Sequence, residues 1–346
     1  MKTASVQNRR EFLKTTTIAA TATSLLGAWG KATATPRKKM FISLNYQQGW
    51  YAVSSPAGAA TSGGPSRVAG TAAPSFRPPP MAWVEMAQLA AKLAYGGVDM
   101  SLEPALQDGV EKTRALYSGL NLRTGYFGLP VNPFANDQAA FQKSITRLDE
   151  ICAFAAAVDC PRGMLVMPPS ADTPKDELRK IALDRAQAMS EVLNRHKIRV
   201  GIEFLGPLYF RTRRKYEFMV TEPELIEFCK EAGPNWGLVL DTWHWYLSGS
   251  TIAEIESAGK DRIVTVHISD AKQMPPEDVR DNMRLFPGEG IIDLEGIFKA
   301  LKKIGYEGGI TPEVLGRAPD SWTPEEAAKA ALDSTRAVLK KAGITA

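Results

Sequence analysis

The sequence predicts one (β/α)8 barrel, and three observations predict it. Short apolar runs alternate with amphipathic stretches from residue 40 onward, and eight of each can be counted. No G-x-G-x-x-G or P-loop pattern follows any of the apolar runs, which disfavours an open doubly wound sheet. Polar residues recur at the C-terminal ends of consecutive late runs, and a barrel brings all those ends to one mouth.

The elements follow in order. Met40 to Leu44 is a short apolar run suited to a buried strand. Residues 48–80 are rich in Gly, Ser, Ala and Pro without periodicity, so they read as a long loop after the first strand. Irregular stretches of that length inside a compact domain are usually functional, which points to a lid or rim segment. Regular patterning resumes at Met81 with a helix over 83–94, a strand over 98–102, a helix over about 107–120 and a strand over 123–129. Next come helix 137–158, strand 163–167, helix 174–196, strand 198–204, helix 222–232 and strand 237–241. The last units are a short helix near 251–259, strand 262–268, helix 293–304, strand 308–314 and helix 323–342.

The first residues have a different character. Asn8-Arg9-Arg10-Glu11-Phe12-Leu13-Lys14 precedes an apolar, Thr/Ala-rich run from Thr15 to about Gly30, and Ala32-Thr33-Ala34 follows. The segment resembles a twin-arginine export signal with an A-x-A cleavage site. It is short and weakly apolar against the ~20 residues that a membrane span needs. Residues 1–34 are therefore expected to be a signal and 35–346 a single barrel domain. The mature protein is expected outside the cytoplasm, periplasmic or extracytoplasmic, with the export machinery as a partner and no stable membrane span.

The signal carries Lys2, Arg9, Arg10, Lys14 and Lys31 against Glu11, so its removal cancels the whole-chain excess of +4. A mature chain without net positive charge argues against nucleic acid as a partner, because phosphate backbones are bound by clustered cations. The cysteines Cys152, Cys160 and Cys229 show neither metal-type spacing nor an even count, and read as small buried hydrophobes.

Four late strands end in a potential ligand: Val200-Gly201-Ile202-Glu203, Leu238-Val239-Leu240-Asp241, Val264-Thr265-Val266-His267 and Ile310-Thr311-Pro312-Glu313. Burying a lone charge at such a place costs several kcal/mol, so four together call for a shared partner, and a divalent cation supplies it. Three carboxylates and one imidazole make a hard, mostly oxygen site. It suits Mn²⁺ first, then Mg²⁺ or Co²⁺, with Zn²⁺ admitted but not favoured by any thiolate.

The segments Ile202-Glu203-Phe204, Leu240-Asp241-Thr242-Trp243-His244, Val266-His267-Ile268-Ser269-Asp270, Pro287-Gly288-Glu289-Gly290 and Pro312-Glu313-Val314 resemble the xylose-isomerase-like sugar isomerase/epimerase family. That group includes D-tagatose 3-epimerase and inosose dehydratase, and the similarity covers about residues 90–342. The resemblance implies that Glu203, Asp241, His267 and Glu313 bind one divalent metal and that Glu203 and Glu313 also act as acid and base. It implies that His244, in an Asp-x-x-His pattern, binds a substrate oxygen. His196, in a polar helix end, reads as a solvated surface residue.

Two departures separate the chain from 3-epimerases: Tyr209 stands where those enzymes usually carry a second Glu, and Gln273 where they carry an Arg. Ketohexose specificity therefore does not follow. Arg280, Arg284 and Lys272 are candidates to replace the missing cation, with a merely solvated loop as the competing reading. Glu289 either contacts substrate or braces its glycine-rich loop. Trp243, Trp245, Tyr246, Tyr209 and Phe210, joined by Trp50 and Tyr51, are candidates for an apolar wall against a sugar ring, with rim packing as the plain alternative.

These residues predict a metal-dependent isomerase or epimerase that acts on a keto sugar or related polyol through an enediolate. The same carbanion chemistry can expel a β-leaving group, so a lyase acting on inososes or 3-keto-glycosides is the close alternative. The family's endonuclease IV branch needs a histidine-rich trizinc site, which three histidines cannot supply. An exported sugar-binding protein without catalysis is the reading from another class, and it leaves two metal-bound glutamates without a purpose.

Overall fold

The computed structural model describes residues 39–51, 81–135 and 137–346. The expected signal over 1–34 lies outside the described residues, as does most of the expected loop over 48–80. Eight parallel strands close a barrel: β1 (Met40–Leu44), β2 (Gly97–Met100), β3 (Arg123–Gly128), β4 (Arg162–Val166), β5 (Arg199–Glu203), β6 (Trp236–Asp241), β7 (Ile263–Ile268) and β8 (Gly308–Pro312). Closure is made by β1 and β8, in register from Met40 opposite Gly308 to Ile42 opposite Ile310. A short antiparallel ribbon, Ser170–Ala171 with Tyr216–Glu217, stands apart from the barrel.

The helices have the expected amphipathic construction. In Leu294–Ile304 the buried residues Leu294, Ile297, Phe298, Ala300 and Leu301 fall on one face. Asp293 caps that helix by accepting from Gly296 N–H, and Gly305 ends it at φ 76°, where a side chain would be strained. Pro324–Lys341 begins with a Thr323/Glu326 capping box. The single helix expected over 137–158 is two, Gln138–Ile145 and Leu148–Ala157. At the break the Ser144 and Thr146 hydroxyls donate to Phe141 and Lys143 carbonyls, in local competition with the backbone ladder. The helix expected over 107–120 starts earlier, at Leu102, and contains a non-helical Gly109.

Within the barrel a buried polar knot ties four strands. Asp99 of β2 accepts from Ser43 Oγ of β1 at 2.6 Å, Thr311 Oγ1 of β8 at 3.0 Å and Tyr126 N–H of β3 at 3.3 Å. Burial pushes the Asp99 carboxyl up to about 6, against the opposing pull of Ser43, His267 and Thr311. Gly125 makes room for it, because a Cβ there would stand 1.8 Å from Asp99 Oδ1. All three cysteines are buried, and burial pushes their thiols up to about 12, as small hydrophobes require. Among the described residues no helix is long and apolar enough to cross a membrane.

Candidate metal centre

Parallel register brings the late strand ends level. Asp241, the last residue of β6, is the Cα partner of His267 in β7, and His267 in turn partners Thr311 of β8. Glu203 closes β5, and Glu313 follows β8 directly. One ligand atom from each of Glu203, Asp241, His267 and Glu313 lies within 4.8 Å of all the others.

The distances point at a shared centre. His267 Nδ1 is 2.9 Å from Glu203 Oε1, 3.2 Å from Glu313 Oε2 and 3.9 Å from Asp241 Oδ2. Glu203 Oε1 and His267 Nδ1 are buried, yet neither completes a hydrogen bond. Close approach without hydrogen-bond geometry is what converging lone pairs give when they aim at a common cation. The donor set, three carboxylates and one imidazole, fits one divalent ion.

Local devices aim Asp241 and Glu313, and an aromatic ring packs on His267. Asp241 caps the short helix Thr242–Leu247: its Oδ1 accepts from Trp243 N–H at 2.8 Å and His244 N–H at 3.2 Å, which leaves Oδ2 for the centre. Glu313 accepts from Gln47 Nε2 through Oε1 at 3.3 Å and turns Oε2 toward His267. The Tyr126 ring lies 5.3 Å from the His267 ring, and its hydroxyl accepts from Asn45 Nδ2.

The two glutamates are driven apart in acidity. Burial raises Glu203, with the charge of His267 opposing. Burial pushes Glu313 the same way, but His267 and Arg284 outweigh it and hold that carboxyl well below the usual range. Burial resists a positive charge at His267, but Glu313 and Glu203 favour one and push the imidazole well above the ordinary histidine value, a charge that a bound cation would supply instead.

The other expected site residues fall at graded distances from this centre. His244 is buried, with Gly206 N–H 3.3 Å from its Nδ1 and Arg284 Nη2 3.2 Å from its Nε2. A neutral imidazole has one acceptor nitrogen, so it takes one of these donors at a time. Trp243 is buried beneath the Arg284 guanidinium, 4.9 Å from its ring centroid. Tyr209 stacks on Phe210 and accepts from Asp281 N–H, so it supports the Arg284 loop.

Glu289 braces its loop: it pairs with Arg317 at 2.7 Å and accepts from Phe286 N–H. It also lines an open groove of about 1210 Å³ with Lys272, Gln273, Arg284 and Arg317. Asp270 pins the same glycine turn by accepting from Gly288, Gly290 and Ile292 N–H. Trp50 and Tyr51 are buried against Tyr46, with Tyr51 bridged to Ala318, so they pack as core. His196 meets Asp149 at a helix end.

Of the three candidate cations, Arg284 enters the centre, while Arg280 lies over Tyr209 and Lys272 stays at the groove. Asp281 and Gln47, which support Arg284 and Glu313, carried no periodic or strand-end signal in the sequence.

A family model described as xylose isomerase-like TIM barrel matches residues 87–338. The chain belongs to that family. An inosose isomerase of Halalkalibacterium halodurans is 28% identical over 207 residues, 59% of this chain and 71% of that protein. An inosose dehydratase of Lacticaseibacillus casei is 31% identical over 119 residues, 30% of this chain and 40% of that protein, so the match spans less than half of it. Among solved structures, a xylose isomerase domain protein from Alicyclobacillus acidocaldarius superposes with TM-score 0.70 at 26% identity, covering 77% of this chain and 96% of that one. The IOLI protein, solved with a bound zinc atom, superposes with TM-score 0.63 at 22% identity over 73% of this chain and 91% of that one.

Proposed function

We propose that this protein is a metal-dependent enzyme that moves a proton on a keto sugar or related polyol, as an isomerase or epimerase. The observation that carries the reading is one cation site that includes two glutamates, Glu203 closing β5 and Glu313 following β8. A divalent ion bound there supplies Lewis-acid polarisation of a carbonyl and its neighbouring hydroxyl.

The chain's own groups do the rest. One of the two, Glu203 or Glu313, is the base that takes the proton from the carbon bearing that hydroxyl, and the other returns one from its own side. Return to the opposite face by the second glutamate gives epimerisation, whereas one glutamate carrying the proton to the neighbouring carbon gives aldose–ketose isomerisation. His244 is assigned to a substrate oxygen on its Asp-x-x-His pattern, and it lies behind Arg284 with Trp243, so it reaches substrate only if the guanidinium moves aside. The likeness to an inosose isomerase supports a polyol-derived ketone as substrate.

A lyase reading has its own support. Tyr209 and Gln273 replace residues that 3-epimerases use, and an inosose dehydratase is among the relatives. Expulsion of a β-substituent from the same carbanion uses the same base. A non-catalytic sugar-binding role leaves the two glutamates of the cation site without purpose.

Mn²⁺ is the preferred ion for the oxygen-rich set, and the zinc bound to the IOLI protein makes Zn²⁺ its first rival. The twin-arginine pattern of residues 8–14 supports an exported enzyme. The deciding experiment offers keto sugars, inososes and 3-keto-glycosides with added Mn²⁺ or Zn²⁺ and follows solvent deuterium incorporation together with leaving-group release. Exchange without release identifies the isomerase or epimerase, and release identifies the lyase. Saturable sugar binding without either identifies a binding protein.

A further inference from the structure

Arg284 is as buried as the ligands, with a side chain only 1% exposed, and its guanidinium is committed on every edge. Nη1 donates to Asp241 Oδ2 at 2.7 Å and to Glu313 Oε2 at 3.1 Å. Nε and Nη2 both donate to Asp281 Oδ1, at 3.3 and 2.8 Å. The backbone is held as well, Arg284 N–H donating to the Leu315 carbonyl at 3.2 Å. The two oxygens on Nη1 are the ones that face His267 Nδ1, at 3.9 Å for Asp241 and 3.2 Å for Glu313. A guanidinium and a divalent ion held by this ligand set therefore draw on the same two oxygens.

We propose that Arg284 is a positioning residue that competes with the divalent ion for Asp241 and Glu313, keeping the ligands assembled at the expense of metal affinity. The inference rests on the metal reading of the four ligands and adds a regulator to that site.

The sign follows from charge. Three ligand carboxylates crowd one place, and their mutual repulsion is relieved by whichever cation is near. In protein stripped of metal, the Arg284 charge carries much of that relief. Once a divalent ion is bound, the carboxylates are already compensated, and the guanidinium stands close to a like charge. Its contribution is therefore larger in the stripped protein than in the loaded one. By linkage, anything that stabilises the stripped form more than the loaded form lowers the metal affinity by the same factor. Asp281 makes the arrangement durable, because its carboxylate holds the far edge of the guanidinium and keeps it from leaving when metal arrives.

The test compares the full chain stripped by chelator as wild type, Arg284→Gln, Arg284→Met and Arg284→Lys. Mn²⁺ and Zn²⁺ dissociation constants are measured by titration and Tm is read with and without metal, so no substrate is needed. Arg284→Gln and Arg284→Met are expected to bind Mn²⁺ more tightly by ~5-fold or more, within the ~5–150-fold range usual for coupled sites. Their stripped forms are expected to melt lower than wild type, with a larger rise on adding metal. Arg284→Lys, which keeps the charge, stays nearer the wild-type affinity.

A purely structural brace predicts the opposite, with all three variants binding metal more weakly. Unchanged or weakened Mn²⁺ affinity in the uncharged variants overturns the proposal. If those variants fold only with metal present, the competition is supported; failure to fold even at saturating metal overturns it. Wild-type protein that binds neither ion removes the metal reading itself, whereas tight wild-type binding with no change in the variants removes only the role of Arg284.

Discussion

Asp241 and His267 stand opposite each other as Cα partners across β6 and β7, and this pairing seats two ligands of different chemistry side by side at the barrel mouth. Asp241 spends Oδ1 on capping the helix that follows and keeps Oδ2 for the centre, 3.9 Å from His267 Nδ1. The strand end thus caps a helix and offers a ligand atom at once, with one side chain.

The first prediction is one divalent ion per chain, held by this pair with Glu203 and Glu313. His267→Ala is expected to weaken binding by more than ~100-fold, since even second-shell changes typically cost 10- to 100-fold. Asp241→Ala is expected to do the same and also to lower Tm, because it removes a helix cap worth ~1 kcal/mol. Elemental analysis and metal titration of both variants check this. Two tightly bound ions per chain, or wild-type affinity in either variant, would refute the assignment.

The second concerns Glu222, which opens the helix Glu222–Ala232 with a carboxylate that is buried and without a hydrogen-bond partner. Burial above all, with Glu254 adding and Trp245 opposing, pushes its carboxyl up to about 8 from an ordinary value of 4.5. Below pH 4.5 the group is protonated folded or unfolded and contributes nothing to pH dependence. Between 4.5 and 8 the unfolded chain releases the proton and the folded chain keeps it, so stability falls as pH rises through that window and levels above it. Glu222→Gln is expected to raise stability at pH 7.5 by an amount on the order of 2 kcal/mol and to change it little near pH 4. Thermal melts across this range decide it, and an equal shift at both ends would exclude ionisation as the cause.

The four candidate ligands were legible in the sequence because each closes or directly follows an apolar run, and parallel register makes strand ends converge. Arg284 was one of three equal candidates because loop residues have no period; only the fold shows that the segment around Asp281 turns it inward. Glu222 was unreadable for a related reason, since an acid at a helix start is normally solvated and its burial depends on packing near Trp245. The split of helix 137–158 depended on hydroxyls that bond their own backbone, which hydrophobic periodicity does not register. Trp50 and Tyr51 were candidates for the wall with plain packing as the alternative, and the bridge from Tyr51 to Ala318 and the burial of both rings give the packing.

A third prediction addresses the address signal. If Arg9-Arg10 is read by the export machinery, replacing both by Lys is expected to retain the protein in the cytoplasm while leaving the activity of extracts intact. Cell fractionation measures this directly, and equal yield outside the cytoplasm from the double-Lys chain would show the segment to be something else.

The last prediction separates the two glutamates. Glu203→Gln and Glu313→Gln each keep an oxygen for the metal and lose the carboxylate that accepts a proton, so both variants are expected to turn over at least ~100-fold more slowly. Metal content must be read alongside, because a weakened centre imitates lost catalysis. The informative measurement is exchange of a substrate C–H with deuterated solvent. If the glutamates serve opposite faces, Glu203→Gln retains exchange on the substrate epimer that Glu313 deprotonates, and Glu313→Gln retains it only on the other epimer. In a one-base isomerase or a lyase, exchange depends on one glutamate for every substrate and survives only in the variant that keeps it. Full turnover by both metal-loaded variants would remove Glu203 and Glu313 from proton transfer and leave the acid and base to be sought elsewhere at the mouth, His244 first.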